Sequence, residues 1–317
     1  MKQYDLLYYV KKIKKQLRGP FRYGTPEFFD RANLLARLNQ VKYLVQDYVI
    51  KPKYKTIEYR QEFQQELIFA LPFAYWHFLN GTLKNTISSK FTKELYFFSE
   101  GHEEKYEMRI CKLPREHYQV PNLYHSKKIY FDKWARVPLK QHYANNLFVF
   151  SKPMLVIANK YNTEWGRKPV NYLSMPVIDE VLARFSNKYQ IVYNRPKPDQ
   201  IVMDNSEVLD MNDFELIKKN YPDVLLAEDL YVKYRYQFNN YNHFQLMLYA
   251  NCDRFLSVHG GTAALASYFG GKNIIFSRRG HEHNYKEFET IFPVLSGAEI
   301  YHAKSEKDIF KFLEAHY

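Results

Sequence analysis

The stretch Phe255-Leu-Ser-Val-His-Gly-Gly-Thr-Ala-Ala-Leu-Ala-Ser-Tyr-Phe-Gly-Gly-Lys-Asn-Ile-Ile-Phe276 decides the fold class. It reads as a short apolar strand over 255–258, a His-Gly-Gly-Thr turn, a helix of small residues, a glycine stop and a second apolar strand over 273–276. A strand that passes through glycines into a helix leaves first-turn N–H groups without partners, at the end where the macrodipole favours an anion. Glycines there let a phosphate approach the backbone closely. The plainer reading of the same residues is a tight strand-to-helix connection.

Outward from this stretch, strands and helices alternate from about residue 150 onward. Apolar strands are expected over 154–158, 190–193 and 224–226, with helices over 176–188, 213–220, 242–250 and 306–315. Asn242 reads as the N-cap of its helix. Such alternation implies a parallel sheet covered by helices, which binds ligands at the carboxyl ends of its strands. Before residue 150 the pattern is patchier. A basic amphipathic helix is expected over 3–17, a helix over 57–79, a strand over 94–99, and short apolar segments over 128–131 and 147–150. The helix over 3–17 is placed on its own domain or on a membrane surface.

With 317 residues the chain is long for one core, and two domains, 1–150 and 151–317, are expected. Its two cysteines cannot build a disulfide framework and suit a reducing compartment. The first residues lack the order of a signal peptide, and the longest apolar run, 67–79, is too short to span a bilayer. A cytoplasmic protein is therefore expected, peripheral at most on the inner membrane face. The formal charge of +12 is lopsided. Residues 1–150 hold 26 Lys and Arg against 14 Asp and Glu, whereas 151–317 hold 20 against 20. A basic first half suits an anionic partner.

Three strand ends deliver polar residues to one edge of the second half. They are Asn159-Lys160-Tyr161-Asn162-Thr163-Glu164-Trp165, Asn194-Arg195-Pro196 and His259-Gly260-Gly261-Thr262. Arg195 offers a planar fork suited to phosphate and Lys160 a second cation, beside the glycine-turn amides and the Thr262 hydroxyl. The competing reading for Arg195 is a salt bridge within its loop. An Asp-x-Asp pair is absent and the 11 histidines show no zinc-type spacing, so no metal is expected. Without one, a leaving diphosphate needs cations and backbone dipoles.

The His-Gly-Gly-Thr turn with Gly270-Gly271 and the strand after it resembles the nucleotide-sugar signature of GT-B glycosyltransferases. The Asn159-Lys160-Tyr161, Glu164-Trp165 and Tyr193-to-Pro196 segments are similar to bacterial and large-virus members that build surface glycans. The likeness spans about residues 150–290. It implies an α/β GT-B fold, two Rossmann-like domains facing each other across a cleft. It further implies transfer of a sugar from a nucleotide diphosphate donor, UDP or GDP type, to a saccharide acceptor, anionic or lipid-linked, with no cofactor and no nucleic-acid partner. Lys160, Arg195, His259, Gly260, Gly261 and Thr262 would hold the diphosphate. Asn159, Glu228 and Asp229 would lie near the nucleoside. The sequence departs from the plant members at Ser267, where they carry a ribose-binding Glu, and over 278–282, where Glu282 is the one candidate for reading the sugar. An inverting transfer needs a base from the first half. Glu100, after the expected strand, and His102 are the candidates. Two rival readings stay open: a GT-B-fold sugar-nucleotide epimerase, and a non-catalytic module binding nucleic acid or glycan through its basic half.

Overall fold

The computed structural model describes Val10, Lys14 and residues 21–110, 115–202 and 206–317. Except for Val10 and Lys14, the expected helix over 3–17 lies outside the described residues, as does Cys111.

The first half builds a small parallel sheet. Helix α1 (Pro26–Val41) starts at Thr25, whose hydroxyl accepts the Phe28 N–H at 3.3 Å, with Pro26 in the first turn. Strand β1 (Lys55–Glu58) follows, then a continuous helical run from Phe63 that ends as α2 (Leu71–Leu79). Strands β2 (Leu83–Ser89) and β3 (Glu103–Tyr106) complete the sheet in the order β1-β2-β3. Pro72 has no N–H to give back to Ile68. The Trp134 indole N–H serves that carbonyl at 3.0 Å instead, and the turn over Glu66–Ala70 widens to a π-helix.

Three expectations for this half are corrected. The helix over 57–79 begins only at Phe63, because β-branched Thr56 and Ile57 pair with Asn85 and Thr86 of β2. Residues 94–99 form consecutive tight turns, in which the N–H groups of Leu95, Tyr96 and Ser99 bond carbonyls three or four residues back. They are apolar because Leu95, Tyr96 and Phe98 enter the core, not because they pair in a sheet. Residues 128–131 and 147–150 form no strand.

The second half follows its pattern closely. Strand β4 (Met154–Ala158), helix α3 (Met175–Phe185), strand β5 (Gln190–Asn194), helix α4 (Asp213–Asn220) and strand β6 (Leu225–Leu226) form one run. Helix α5 (Ala227–Lys233), helix α6 (Tyr241–Ala250), strand β7 (Arg254–Val258) and helix α7 (Gly261–Ala266) come next. Strands β8 (Lys272–Phe276) and β9 (Glu299–Ala303) and helix α8 (Glu306–His316) close the chain. The N-cap of α6 is Asn240, which accepts the His243 N–H at 2.9 Å. Asn242, expected in that place, lies inside the helix.

All six strands are parallel in the order β6-β5-β4-β7-β8-β9. Their side chains alternate between two cores, as the strand period of two requires. Leu155, Ile157, Leu256 and Val258 face one core with α3 and α8. Val156, Ala158 and Phe255 face a second core, which continues without a break into Phe69, Phe73 and Leu123 of the first half. The strand order reverses between β4 and β7, and the connections leaving these neighbours diverge to opposite sides. A crevice at their carboxyl ends follows.

Gly271 sets the start of β8. It holds φ +65°, and a Cβ there would lie 2.0 Å from the Asp253 carbonyl oxygen, which accepts the Lys272 N–H at 2.8 Å. Gly271→Ala must both strain the backbone and push β7 from β8. We expect a loss of about 2–3 kcal/mol, read from the midpoint of urea unfolding.

Candidate functional site

A cavity of about 600 Å³ opens where β4 and β7 end. Its second-half wall is Lys160, Glu164, Trp165 and the 259–262 turn. The first half contributes Phe63, Lys90, Arg109 and His125 from the other side. The structure therefore brings Lys160, His259, Gly260, Gly261, Thr262 and Glu282 to one cavity.

The two glycines of the turn serve different needs. Gly260 holds φ +104°, and a Cβ there would come within 3.5 Å of the Lys160 ammonium. Gly261 is an ordinary helix start, but a Cβ there would fall 2.6 Å from the Phe63 ring. Its bare backbone is what lets the first half seat on the second. The first bonded amide of α7 is Ala264, to the Gly260 carbonyl at 3.1 Å, so the Gly261, Thr262 and Ala263 amides precede the ladder.

The charges around the cavity are paired. Lys160 meets Glu164 at 2.6 Å. Arg109 meets the buried Glu66 at 2.7 Å and donates to the Gln61 carbonyl at 2.7 Å, with its guanidinium 5.0 Å from the Phe63 ring. His125 meets Glu287 at 2.8 Å. Burial alone would pull the His125 imidazolium down, but the Glu287 carboxylate outweighs it and raises the group to about 9. Its other ring nitrogen lies 3.3 Å from the Gln65 amide. A charged ring donates at both nitrogens, so the Gln65 oxygen belongs on that side.

Glu282 is a buried carboxyl group shifted toward neutrality. Burial lifts it to about 7, against the opposing pull of His125. His259 Nε2 sits 3.3 Å from Glu282, and Nδ1 lies 2.8 Å from the Ser277 hydroxyl. Burial and the Lys160 charge keep His259 well below the usual imidazole range, so it is neutral. The Ser277 hydroxyl also lies 2.6 Å from His283 Nε2, and it has one proton to give. One of the two rings must therefore donate to it.

Trp165 stands at the mouth, about half exposed, with its ring 6.3 Å from that of His259. Glu164 and Arg167 exchange backbone bonds at 3.1 and 2.9 Å around a two-residue hairpin. Its tip is Trp165-Gly166 with φ +52° and +70°. Two positive φ values mark a type I′ turn, normally made by Asn-Gly. A tryptophan in the left-handed region costs about 1–2 kcal/mol, and such strain is typical of functional positions.

The remaining expected residues are placed elsewhere. Arg195 is buried with its fork closed on Asp213 at 2.7 and 2.6 Å, joined by Asp210 at 3.0 Å. It is absent from the cavity wall. The diphosphate role expected for it is corrected to an internal ion pair. Asn159 is buried, donating to the Tyr193 hydroxyl at 2.9 Å and accepting the Leu173 N–H at 3.0 Å. Glu228 binds Lys197 at 2.9 Å, and Asp229 binds Lys218 at 3.2 Å. None of these three lines the cavity. Glu100 is exposed on a turn outside it. His102 is held by the Thr86 and Thr92 hydroxyls at 2.7 and 3.2 Å and stacks on Tyr96, and burial lowers it to about 4. Both of its nitrogens are taken inside the small domain.

Phe63, Arg109, His125 and Trp165 received no role from the sequence. Trp165 alone had a local signal, the Trp-Gly pair between polar residues. Among the described residues, no three His, Cys, Asp or Glu side chains are grouped to hold a metal. No helix among them is long and apolar enough to cross a membrane.

No protein-family model and no curated protein matches the chain. Among solved structures, the glycosyl transferase family 9 protein from Veillonella parvula DSM 2008 aligns over 93% of this chain and 73% of its own. The identity is 9% and the TM-score 0.36. A likeness that loose carries no argument.

Arg195→Ala leaves Asp213 buried without its partner, and we expect about 3–5 kcal/mol of lost stability, seen by urea unfolding. His125 is more basic folded than unfolded. Its contribution to stability is therefore complete below about pH 6.5 and lost as pH rises through about 9. In Glu287→Gln the His125 shift reverses. The stability gap between the native protein and this variant should narrow steadily across that window, and a constant gap would refute the charged pair.

Proposed function

We propose that the chain is a GT-B-type glycosyltransferase, with residues 1–150 on the acceptor side and 151–317 binding a nucleotide diphosphate sugar. The observation that carries this reading is the cavity at the β4–β7 reversal, walled by the glycine turn and Lys160 on one side and by Arg109 and Lys90 on the other. Parallel sheets bind nucleotides at this place. The order and spacing of the sequence motifs point to the same donor class.

On this reading the diphosphate lies over the Gly260–Thr262 turn and takes Lys160 from Glu164. Lys90, whose partner Glu107 is exposed, faces it from the other half, while Arg109 and His125 stay on Glu66 and Glu287. The leaving group is thus stabilised by groups fixed before it forms. Trp165 stacks on the base or the sugar. The Glu282 carboxylate, its basicity raised by burial, replaces Glu100 and His102 as the group that takes the acceptor proton.

Of the chain's 3 tryptophans, only Trp165 lines the cavity. UDP or GDP should therefore quench intrinsic fluorescence and raise the melting temperature, since a ligand of the native state stabilises it by mass action. Trp165→Phe should abolish the quench while keeping the thermal shift. Lys160→Ala should weaken binding about tenfold or more. If no nucleoside diphosphate shifts the melting temperature, the reading fails.

A further inference from the structure

Opposite its buried face, α1 ends in an apolar stripe that stands exposed among the described residues. Phe29, Ala32, Ala36 and Gln40 face inward, whereas Leu38 and Val41 face out. The stripe does not stop with the helix. Tyr43 N–H bonds Gln40 O at 3.0 Å, Asp47 N–H bonds Tyr43 O at 2.8 Å, and Lys51 N–H bonds Gln46 O at 2.8 Å. The chain therefore keeps turning through the π-helix Gln46–Ile50. Leu44, Val45, Val49 and Ile50 extend the stripe, and its six aliphatic side chains are 45–75% exposed. Single exposed aliphatics are ordinary on a soluble surface, but a row of them at helical spacing is not.

Within residues 38–55 the exposed charges have one sign, and the exposed Asp132 that lies near Tyr48 is paired with Arg37 at 3.8 Å. Lys42, Lys51 and Lys53 are exposed, and Asp47, the one acid between residues 38 and 55, is fully buried against Lys133 and the Tyr54 hydroxyl. Tyr48 packs edge-on to Trp76 at 5.6 Å, which brings the end of α2, with its exposed Phe78 and Leu79, beside the same surface. Aliphatic side chains flanked by lysines, with aromatic groups at the margin, fit the boundary between lipid headgroups and acyl chains. A second copy of the chain fits less well. A two-fold contact sets each patch against itself and would oppose the lysines to one another.

We propose that residues 38–53 form a docking surface for an anionic lipid bilayer, with the aliphatic stripe inserted at the headgroup boundary and the three lysines on the lipid phosphates. This goes beyond the reading of the cavity and does not depend on it.

The test is co-sedimentation of the full chain with vesicles of phosphatidylcholine mixed with phosphatidylglycerol, and with vesicles of phosphatidylcholine alone. Binding is expected to the mixed vesicles and at least about tenfold weaker to the neutral ones, since each surface lysine adds to the attraction. Val45→Glu/Val49→Glu should lose the binding, and Lys42→Ala/Lys51→Ala/Lys53→Ala should narrow the difference between the two lipids. Both variants change exposed side chains, so the melting temperature should hold. Their thermal response to nucleoside diphosphates should also match the parent's, which keeps this outcome separate from that of the cavity. Equal sedimentation of parent and Glu variant would overturn the proposal, as would no sedimentation with either vesicle. A concentration-dependent dimer that the Glu variant dissolves, without vesicle binding, would assign the stripe to a second copy and also overturn it.

Discussion

The seat of Phe63 on Gly261 is the contact on which the rest of the molecule depends. A ring from the first half lies where a side chain of the second half would otherwise stand. It draws the helical run after β1 against α7, so that the 2 parallel sheets share one continuous core. The same contact sets the width of the cavity, because Phe63 carries Arg109 over its face and Arg109 is anchored to Glu66 beneath. Glu66 also accepts the Tyr96 hydroxyl at 2.9 Å and the Ser88 hydroxyl. The position of one cation in the cavity wall is thus fixed by the small sheet, by the turns after it and by a missing side chain on the opposite half.

Pairing governs the charges that follow from this arrangement. A carboxylate as deeply buried as Glu66 or Glu287 is tolerable only with a cation and further donors at hand. Arg109 and His125 supply those cations, and each borders the cavity while serving a carboxylate behind it. Glu282 has no such full partner. Its neighbour His259 is neutral, so burial raises it toward neutrality instead of a counter-charge lowering it. His125 meets Glu287 directly at 2.8 Å, whereas Glu282, five residues earlier, has the neutral His259 at 3.3 Å.

Much of the second half could be read from the chain, for a physical reason. Its central strands are buried on both faces and carry apolar runs, unbroken over Met154–Ala158 and interrupted only by Ser257 over 255–258. The first half gave no such signal. Strand β3 is Glu-Glu-Lys-Tyr at an exposed edge, and β2 mixes Lys84, Asn85 and Thr86 into its length. One apolar short segment there, 94–99, is a set of turns. Apolar content marks burial, and in this half burial and strand pairing fall on different residues.

The site shows the same limit at the level of single side chains. Lys160 and Arg195 both follow apolar strands at one sheet edge, and by type Arg195 is the better phosphate ligand. What separates them is tertiary. Asp213, in the first turn of α4, folds back beneath β5 and takes both guanidinium nitrogens together with the Tyr193 hydroxyl. Lys160 is held instead by Glu164, four residues on, in the loop that carries the strained Trp165 turn. Glu164 is itself buried and also accepts the Asn171 amide at 2.9 Å, but it borders the cavity with Lys160, so a ligand entering there meets the pair directly. To free Arg195 it would have to strip a buried carboxylate of its cation, which costs more than a phosphate contact returns. Of these two cations, the one within reach of a ligand is Lys160, because it and its partner border the cavity and Arg195 does not.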